Sequence, residues 1–452
     1  MSDVRNRELF ESRPIAKAVA AMALPAIVGQ LIVLIYNMAD TFFIGRTNDP
    51  SMVAAASLIL PVFNISLSIA SVAGVGGGAL ISRLYGEKRD GEAKTVSSFC
   101  VTFSLALAFL FSLCTLLFME PLLDLLGADA ETHDFARTYA FWVIVAGGVP
   151  TIMSNVLSNL VRSIGESGKA GFGVTLGGVI NIALDPLFMF VLLPKGREIE
   201  GAGIATCLSN CISCVFFIIV ILRFGKGSVL TLRPTKKMPE KKSVSQIFAV
   251  GVPSAVATLL FDVAYIVIDK LMSGYGKVPL AAVGIVLKAE RLPLNVGIGI
   301  CQGMVPIVAY NYASGDRKRM LAAERFSLLC GVAFALVSIT AYEIFAPFIM
   351  RFFIDDAGTV LVGTDFLRIR CLATVFMFMS FYHVHLFNSY GRGREALFLG
   401  VMRWAVFNIP LLFLLESIFG MYGIVWTQLI ADVLNVLLSL FVHCRFKKKH
   451  FA

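Results

Sequence analysis

The sequence predicts an all-α integral membrane protein with twelve transmembrane helices in two pseudo-symmetric six-helix lobes. Of its 452 residues, 57% are hydrophobic and only 15% are charged, whereas about a quarter of the residues in a soluble protein are charged. A helix needs about 20 apolar residues to cross the hydrocarbon core, and such segments fill nearly the whole chain. The composition leaves no room for a soluble domain.

The apolar segments and the basic loops together predict the topology. Twelve spans place both termini on one side, and short loops rich in Lys and Arg alternate with loops poorer in them, which by the positive-inside rule makes the termini cytoplasmic. This placement of the net charge of +9 argues against a nucleic-acid partner. The helices are predicted at about 15–45, 52–82, 95–118, 136–161, 170–193, 203–223, 246–272, 280–312, 323–349, 364–389, 396–415 and 421–444.

An internal repeat divides the chain. The stretch "ALPAIVGQLIVLIYNMAD" (23–40) matches "GVPSAVATLLFDVAYIVID" (251–269), with a proline near the start and an aspartate at the end of each. We therefore predict an N-terminal lobe at 1–225, a basic cytoplasmic connector at 226–243 and a C-terminal lobe at 244–452. Six helices separate matching positions, so the lobes share one orientation, as in transporters whose substrate binds between parallel repeats.

Four motifs carry a resemblance to a known family: "MADTFFIGR" (38–46), "GVGGGALISRLYGEKRDGEA" (74–93), "NIALDPL" (181–187) and "PIVAYNYASGD" (306–316). In this order and spacing the chain resembles multidrug and toxic compound extrusion (MATE) transporters, most closely the DinF-like branch, whose MATE/MOP-type fold it is expected to share. The resemblance implies a monomeric antiporter of the bacterial inner membrane. It would need no cofactor and would export drug-like, often cationic compounds in exchange for H⁺ or Na⁺.

Carboxylates inside the apolar helices are the candidate coupling groups. A charge at the bilayer centre costs about 2.5–3.5 kcal/mol on insertion scales, so it usually faces a cavity and marks an ion path. Asp40 lies six residues before Arg46, and Asn181 and Asp185 share one helix face four residues apart. Two carboxylates in one apolar site favour a proton or a sodium ion between them. The alternative is structural: Asp40 caps a helix end and Asp185 accompanies a kink at Pro186.

The resemblance extends this cation site to five positions. It implies Asp40, Asn181 and Asp185 as ligands, with a hydroxyl oxygen from Thr206 and a backbone carbonyl from Ala202. No metal other than Na⁺ at Asp40, Asn181 and Asp185 is expected.

The second half offers a less defined cation or substrate site. Its candidates are Asp262, deep in the seventh helix, and the charged residues Lys288, Glu290 and Arg291 of the eighth. The alternative for the last three is a mutual salt-bridge cluster.

Other charges of this half receive structural interpretations. Asp269 and Lys270 form a snorkelling pair near the outer boundary. Asp365, Arg368 and Arg370 are interfacial, and Arg403 pairs with Asp432 near the cytoplasmic side.

These observations favour a multidrug efflux antiporter that works by rocking of its lobes within the lipid bilayer. The alternative is a flippase of the same superfamily that moves lipid-linked glycans or other lipids. Such a flippase would require a more cationic central cavity. An enzyme is not expected, because no nucleophile, base or metal ligands converge at suitable spacing.

Overall fold

The computed structural model describes residues 2–225, 227–235 and 238–451, and it is almost entirely helical. Seventeen α-helices occur in these ranges, and three short π-helical segments extend α6, α8 and α15 at 141–146, 188–192 and 402–408. The helices are α1 Ser2–Glu11, α2 Ile15–Gly45, α3 Pro50–Gly86, α4 Asp90–Leu117, α5 Met119–Leu126, α6 His133–Ala140, α7 Gly148–Ser163, α8 Ser167–Leu187, α9 Glu198–Phe224, α10 Lys241–Ser273, α11 Lys277–Ser314, α12 Arg317–Phe353, α13 Ala357–Cys371, α14 Thr374–Ser389, α15 Gly393–Val401, α16 Ile409–Phe419 and α17 Met421–Phe451.

The long helices confirm the prediction of an all-α, multi-pass membrane protein. Within the described residues, ten helices are long and apolar enough to cross a bilayer. The pair 133–146 and 148–163, bent by 45°, makes an eleventh span where the sequence predicts one continuous helix.

The tenth predicted span, 364–389, is also broken. It falls on α13 and α14, which are 15 and 16 residues long and meet near Leu372. Three charged residues lower the hydropathy of α13, and one of them, Arg370, forms an ion pair with Glu290 of α11 inside the protein.

The two halves of the chain pack together through glycines. Gly251 of α10 lies against the backbone of α3, where an added Cβ would collide with the carbonyl oxygen of Val72. Gly299 of α11 lies against α2, and a Cβ there would be only 2.7 Å from the Cα of Ile27. Small residues of this kind let membrane helices approach closely.

This close packing is concentrated at one end of the bundle. We call the end where α3 finishes and α12 begins the terminal end, and the end where α2 and α10 finish the distal end. All residues from Gly76 to Gly86 of α3 are buried, whereas its distal part exposes Leu60 and Ile65. The halves are thus closed at the terminal end and more exposed toward the distal end.

The short helix α1 ties the halves together at the terminal end. Phe10 is fully buried, with its ring stacked on Tyr310 at 4.8 Å and edge-on to Tyr85 at 6.2 Å. Arg7 forms an ion pair with Asp90 of α4 at 2.7 Å. Helix α1 therefore contacts side chains from both halves, a role that its polar sequence does not predict.

Candidate cation site and buried charges

The candidate cation site of the first half lies between α2, α8 and α9. Asp185 is fully buried and Asn181, one turn earlier on α8, is 2% exposed. The Asn181 side-chain amide donates to Asp185 Oδ1 at 3.2 Å and lies 3.4 Å from the Thr206 hydroxyl of α9. The structure therefore brings together three of the five residues that the sequence suggests.

Asp40 lies close to this group on the neighbouring helix α2. Its carboxylate is close enough to Asp185 for the two charges to repel one another, and the phenol of Tyr139 donates to Asp40 Oδ2 at 3.4 Å. Tyr36, one turn before Asp40, is also within electrostatic reach of both carboxylates. Neither tyrosine was predicted from the sequence to belong to this site.

Three oxygen atoms of the site have no hydrogen-bond donor among the described residues. They are Oδ1 of Asp40, Oδ1 of Asn181 and Oδ2 of Asp185, and each is buried. Buried polar atoms in proteins are normally paired. An unpaired set of carboxylate and amide oxygens offers ligands of the type that hard cations prefer and an acceptor for a proton.

Irregular backbone accompanies this group. Helix α8 changes to a π-helical turn at Phe188, three residues after Asp185, and α6 does so at Phe141, two residues after Tyr139. Pro186 removes one backbone donor at the same place. Single π-helical turns in α-helices are frequent at functional sites.

Ala202 is the weakest of the five suggested positions. It is fully buried on α9, one turn before Thr206. In a continuous helix its carbonyl oxygen already accepts the amide hydrogen four residues later. Only the second lone pair of that oxygen is left for an ion.

The charged group of α11 differs from the predicted mutual cluster. Glu290 is 3% exposed and forms an ion pair with Arg370 of α13 at 2.7 Å, and Arg370 Nε donates to the Glu290 carboxylate at 2.8 Å. Lys288 and Arg291 are exposed. The alternative of a salt-bridge cluster within 288–291 is therefore wrong, because the partner of Glu290 comes from 80 residues away. The cation or substrate site suggested for these residues stays a prediction. The interfacial placement of Arg370 is also wrong, since it is 1% exposed.

Asp262 occupies the boundary between the halves. It interacts with Asn64 of α3 and with Arg291, whose guanidinium lies 5.9 Å from the ring centroid of Phe261. Asp269, two turns further along α10, is exposed. Asp262 is thus the acidic residue of α10 that faces the first half.

Arg403 and Asp432 form the predicted ion pair, at 2.6 Å and with 3% and 0% of their side chains exposed. The depth of the pair differs from the prediction. Asp432 lies 11 residues after the start of α17 at Met421, about 16 Å along the helix. That position is nearer the middle of the bundle than the terminal end.

The chain matches one protein-family model twice. The model described as MatE matches residues 25–187 and again 253–414, which together make up more than half of the chain. The protein belongs to the MATE transporter family. Transporters of this family are not enzymes and need no cofactor.

Relatives of known name match almost from end to end. The multidrug export protein MepA of Staphylococcus saprophyticus is 30% identical over 438 residues, which cover 96% of this chain and 94% of that protein. MepA of Staphylococcus aureus strain N315 is 29% identical with the same coverage.

Solved structures share the fold of this MATE family member. One, titled as the outward-facing conformation of a multidrug resistance MATE family transporter of the MOP superfamily, superposes with a TM-score of 0.90 at 22% identity and covers 98% of both chains. A point mutant of the Vibrio cholerae MATE transporter VcmN gives a TM-score of 0.90 at 19% identity, covering 96% of this chain and 98% of that one. The predicted MATE/MOP-type fold is confirmed.

Proposed function

We propose that this MATE family member is a secondary active multidrug efflux antiporter. It exports lipophilic organic cations and other drug-like molecules in exchange for H⁺ or Na⁺. It works as a monomer in the bacterial inner membrane with both termini in the cytoplasm. The names of its MepA relatives support multidrug export, and the acidic site supports the ion exchange.

The observation that carries the antiport proposal is the set of three unpaired oxygens on Asp40, Asn181 and Asp185. Two carboxylates within reach of one another in a buried site repel while both are ionised, and a bound cation relieves that repulsion. A proton or a sodium ion entering this site is then stabilised by oxygens that have no competing donor. Release of the ion restores the repulsion and readies the site for another exchange.

The second element of the proposal is alternating access by two lobes, 1–225 and 244–452, joined by the connector 226–243. Close glycine contacts, such as Gly86 of α3 against the backbone of Tyr310 in α11 and Gly251 of α10 against α3, hold the lobes together toward the terminal end. In the outward-directed state the ion reaches the site from the distal end. Ion binding between α2 and α8 repacks these helices, opens the terminal end and resets the cycle.

The membrane potential helps to drive this exchange whenever more positive charge enters than leaves, whereas a one-for-one exchange of monovalent cations is driven by the ion gradient alone. One elementary charge that moves through 100 mV yields about 2.3 kcal/mol. At 1.4 kcal/mol per factor of ten, this supports a substrate gradient of roughly fiftyfold per charge.

The experiment is transport of a fluorescent cation in proteoliposomes under imposed proton or sodium gradients. Asp40→Asn keeps the size of the side chain and removes its charge, so we expect loss of gradient-driven efflux with normal protein yield. The matched control is Asp269→Asn, the repeat-related and exposed aspartate of α10, which we expect to transport like the wild type. Gradient-driven efflux by Asp40→Asn at the wild-type rate would overturn the proposal.

The acidic site also bears on the alternative of a lipid flippase. A flippase of anionic lipid-linked glycans would place cations in its central cavity, whereas the first half contributes two carboxylates here. Efflux of the fluorescent cation without a response to either ion gradient, together with scrambling of labelled lipid, would favour the flippase.

A further inference from the structure

A line of polar side chains runs along the buried face of α17. Successive members are separated by three or four residues, so all lie on one side of the helix. Asp432, Asn435 and Ser439 are fully buried, although α17 is a membrane-spanning helix. We call this line the polar file; its members are Asp432, Asn435, Ser439, His443 and Lys447.

The side chains in the middle of the polar file have buried polar atoms without hydrogen-bond partners among the described residues. Both amide atoms of Asn435, the hydroxyl of Ser439 and Nδ1 of His443 are buried without a hydrogen bond. Elsewhere such side chains bond to their own helix: Asn210 of α9 donates to the carbonyl of Thr206 at 3.0 Å. Asn435, Ser439 and Nδ1 of His443 make no such bond, and these polar atoms remain free for small polar molecules.

Neighbouring helices add further polar groups to the same space. The His383 ring of α14 lies 5.6 Å from that of His443. The hydroxyls of Ser380 on α14 and Ser327 on α12 are buried and also lack a partner among the described residues. Ser380 lies one turn before His383 on α14, and Ser327 lies one turn after Glu324 on α12, so both helices that contact the polar file carry further unpaired hydroxyls.

Charged groups close both ends of the polar file. At the terminal end, Lys447 pairs with Glu324 of α12 at 3.5 Å. The phenol of Tyr390 also donates to Glu324. At the inner end, Asp432 pairs with Arg403, whose π-helical turn also carries the unpaired amide oxygen of Asn408.

The second buried pair lies beside this inner end. Glu290 is within electrostatic reach of Asp432 and Arg403 as well as of its partner Arg370. A cavity of about 10 Å³ lies against Glu290 and Thr374. This volume is at the lower limit for one water molecule.

The spacing of the polar file matches a chain of water molecules. Steps of three or four residues correspond to a rise of about 4.5–6 Å along the helix, which is too far for a direct hydrogen bond. A water molecule that accepts one bond and donates another spans about 5.6 Å. From Asp432 to Lys447 the helix rises about 22 Å, so a few such waters connect the ends.

Helix α9, the last helix of the first half, lacks a comparable line of polar side chains in its part toward the terminal end. The buried residues there are Phe217, Val220 and Ile221. These side chains offer no hydrogen bond to water, so the polar file is a feature of α17 that α9 does not share.

We propose that the polar file is a water-filled proton route from the terminal end to the buried ion pairs of the second half. Each water molecule takes up one proton and passes on another, so that one proton leaves the solvent at Glu324 and arrives on the carboxylate of Asp432 or Glu290. Arg403 and Arg370 keep their charges throughout. The link to transport rests on the proposed antiport, but the hydration of the file does not.

Hydration is tested by thiol reactivity in lipid nanodiscs. Ser439→Cys places a thiol in the polar file, and Leu440→Cys places one at the same depth on the exposed, lipid-facing side; both carry Cys444→Ala. A thiol reacts with a small cationic methanethiosulfonate reagent only where water reaches it. We expect modification of the α17 peptide, followed by mass spectrometry, to be at least tenfold faster at position 439. Equal or slower reaction there would overturn the proposal.

A second pair of variants tests the direction of the route and its use. Adding His443→Leu to Ser439→Cys closes the terminal end of the file, so the reaction at 439 should slow at least tenfold; an unchanged rate would contradict entry from that end. Asn435→Leu should lower proton-coupled exchange at least tenfold without changing the Kd for the drug, whereas Asn435→Ser should preserve exchange. Thr427→Val, which removes a buried hydroxyl of α17 outside the file, is the control.

The two proposals fail separately. A wild-type protein that exchanges no protons for drug overturns the antiport, while the labelling ratio still decides the hydration of the file. Full proton coupling in Asn435→Leu overturns the proton route, while the cation site at Asp40 keeps its own test.

Discussion

The closure of the halves at the terminal end predicts the effect of one methyl group. In Gly299→Ala the new Cβ lies 2.7 Å from the Cα of Ile27 and 2.8 Å from its backbone nitrogen, whereas ordinary contact begins at 3.4 Å. Relieving the overlap requires α2 and α11 to separate by about 0.7 Å at this point, the difference between 3.4 and 2.7 Å. Because both atoms belong to backbone, no side-chain rotation can substitute for that movement.

The expected magnitude follows from the cost of overpacking. An extra methyl group in a well-packed interface typically costs about 1–3 kcal/mol, and this cost applies while α2 and α11 are packed as in this structure, with the terminal end closed. The population should therefore shift about five- to 150-fold toward states in which this end is open. The same variant gains about 1 kcal/mol of helix propensity in all states, which does not affect the ratio.

The assay is a distance distribution between two spin labels at the terminal end, one at Gly91 of α4 and one at Lys318 of α12. Gly284→Ala is the matched control, because Gly284 belongs to the same helix and a Cβ there meets nothing within 4 Å. We expect a new or enlarged long-distance component in Gly299→Ala only. Identical distributions for the two alanine variants would refute the reasoning from glycine contacts.

Three further predictions follow from named contacts. Asp432→Asn leaves the buried guanidinium of Arg403 without its ion-pair partner, so it should lower stability by about 3–5 kcal/mol in detergent melting. Asp90→Asn, in a more exposed pair, should cost at most about 1 kcal/mol; equal losses would contradict the burial argument. Phe10→Ala removes the ring that α1 inserts between the halves and should increase the open terminal population in the same spin-label assay, while Phe10→Leu should do so less. The pKa of Asp129 is lowered because the hydroxyl and amide of Thr132 donate to its carboxylate, so the turn it stabilises should stay protected from amide exchange above the usual pKa of an aspartate and lose protection as pH falls through the lowered value, with no such step in Asp129→Ala.

Periodicity predicted most of the fold because each span is long and apolar. Where the prediction differs, local chemistry explains it. The predicted span 136–161 bends next to Gly147 and Gly148, which tolerate irregular backbone. The predicted span 364–389 is divided near Leu372, close to Arg370, whose side chain pairs with Glu290 inside the protein.

The acidic site was predictable for a different reason. Asn181 and Asp185 share a helix face whatever the rest of the fold does, and Asp40 is the only other carboxylate at a similar depth in its half. Tyr139 and Arg370 were not predictable in the same way, because each reaches its partner across a long stretch of chain. Spacing in sequence reports neighbours on one helix and says little about which helices meet.

The two halves differ in which end of the bundle their polar interiors reach. In the first half the unpaired oxygens of Asp40 and Asp185 lie beside α9, whose buried residues toward the terminal end, Phe217 and Ile221, are apolar. In the second half the unpaired groups at Asn435 continue toward the terminal end. If both sites handle protons, each half communicates with a different side of the membrane while the lobes are closed at the terminal end. One repeat would then sense the outer ion concentration and the other the inner one, which is the asymmetry that a gradient-driven exchanger requires.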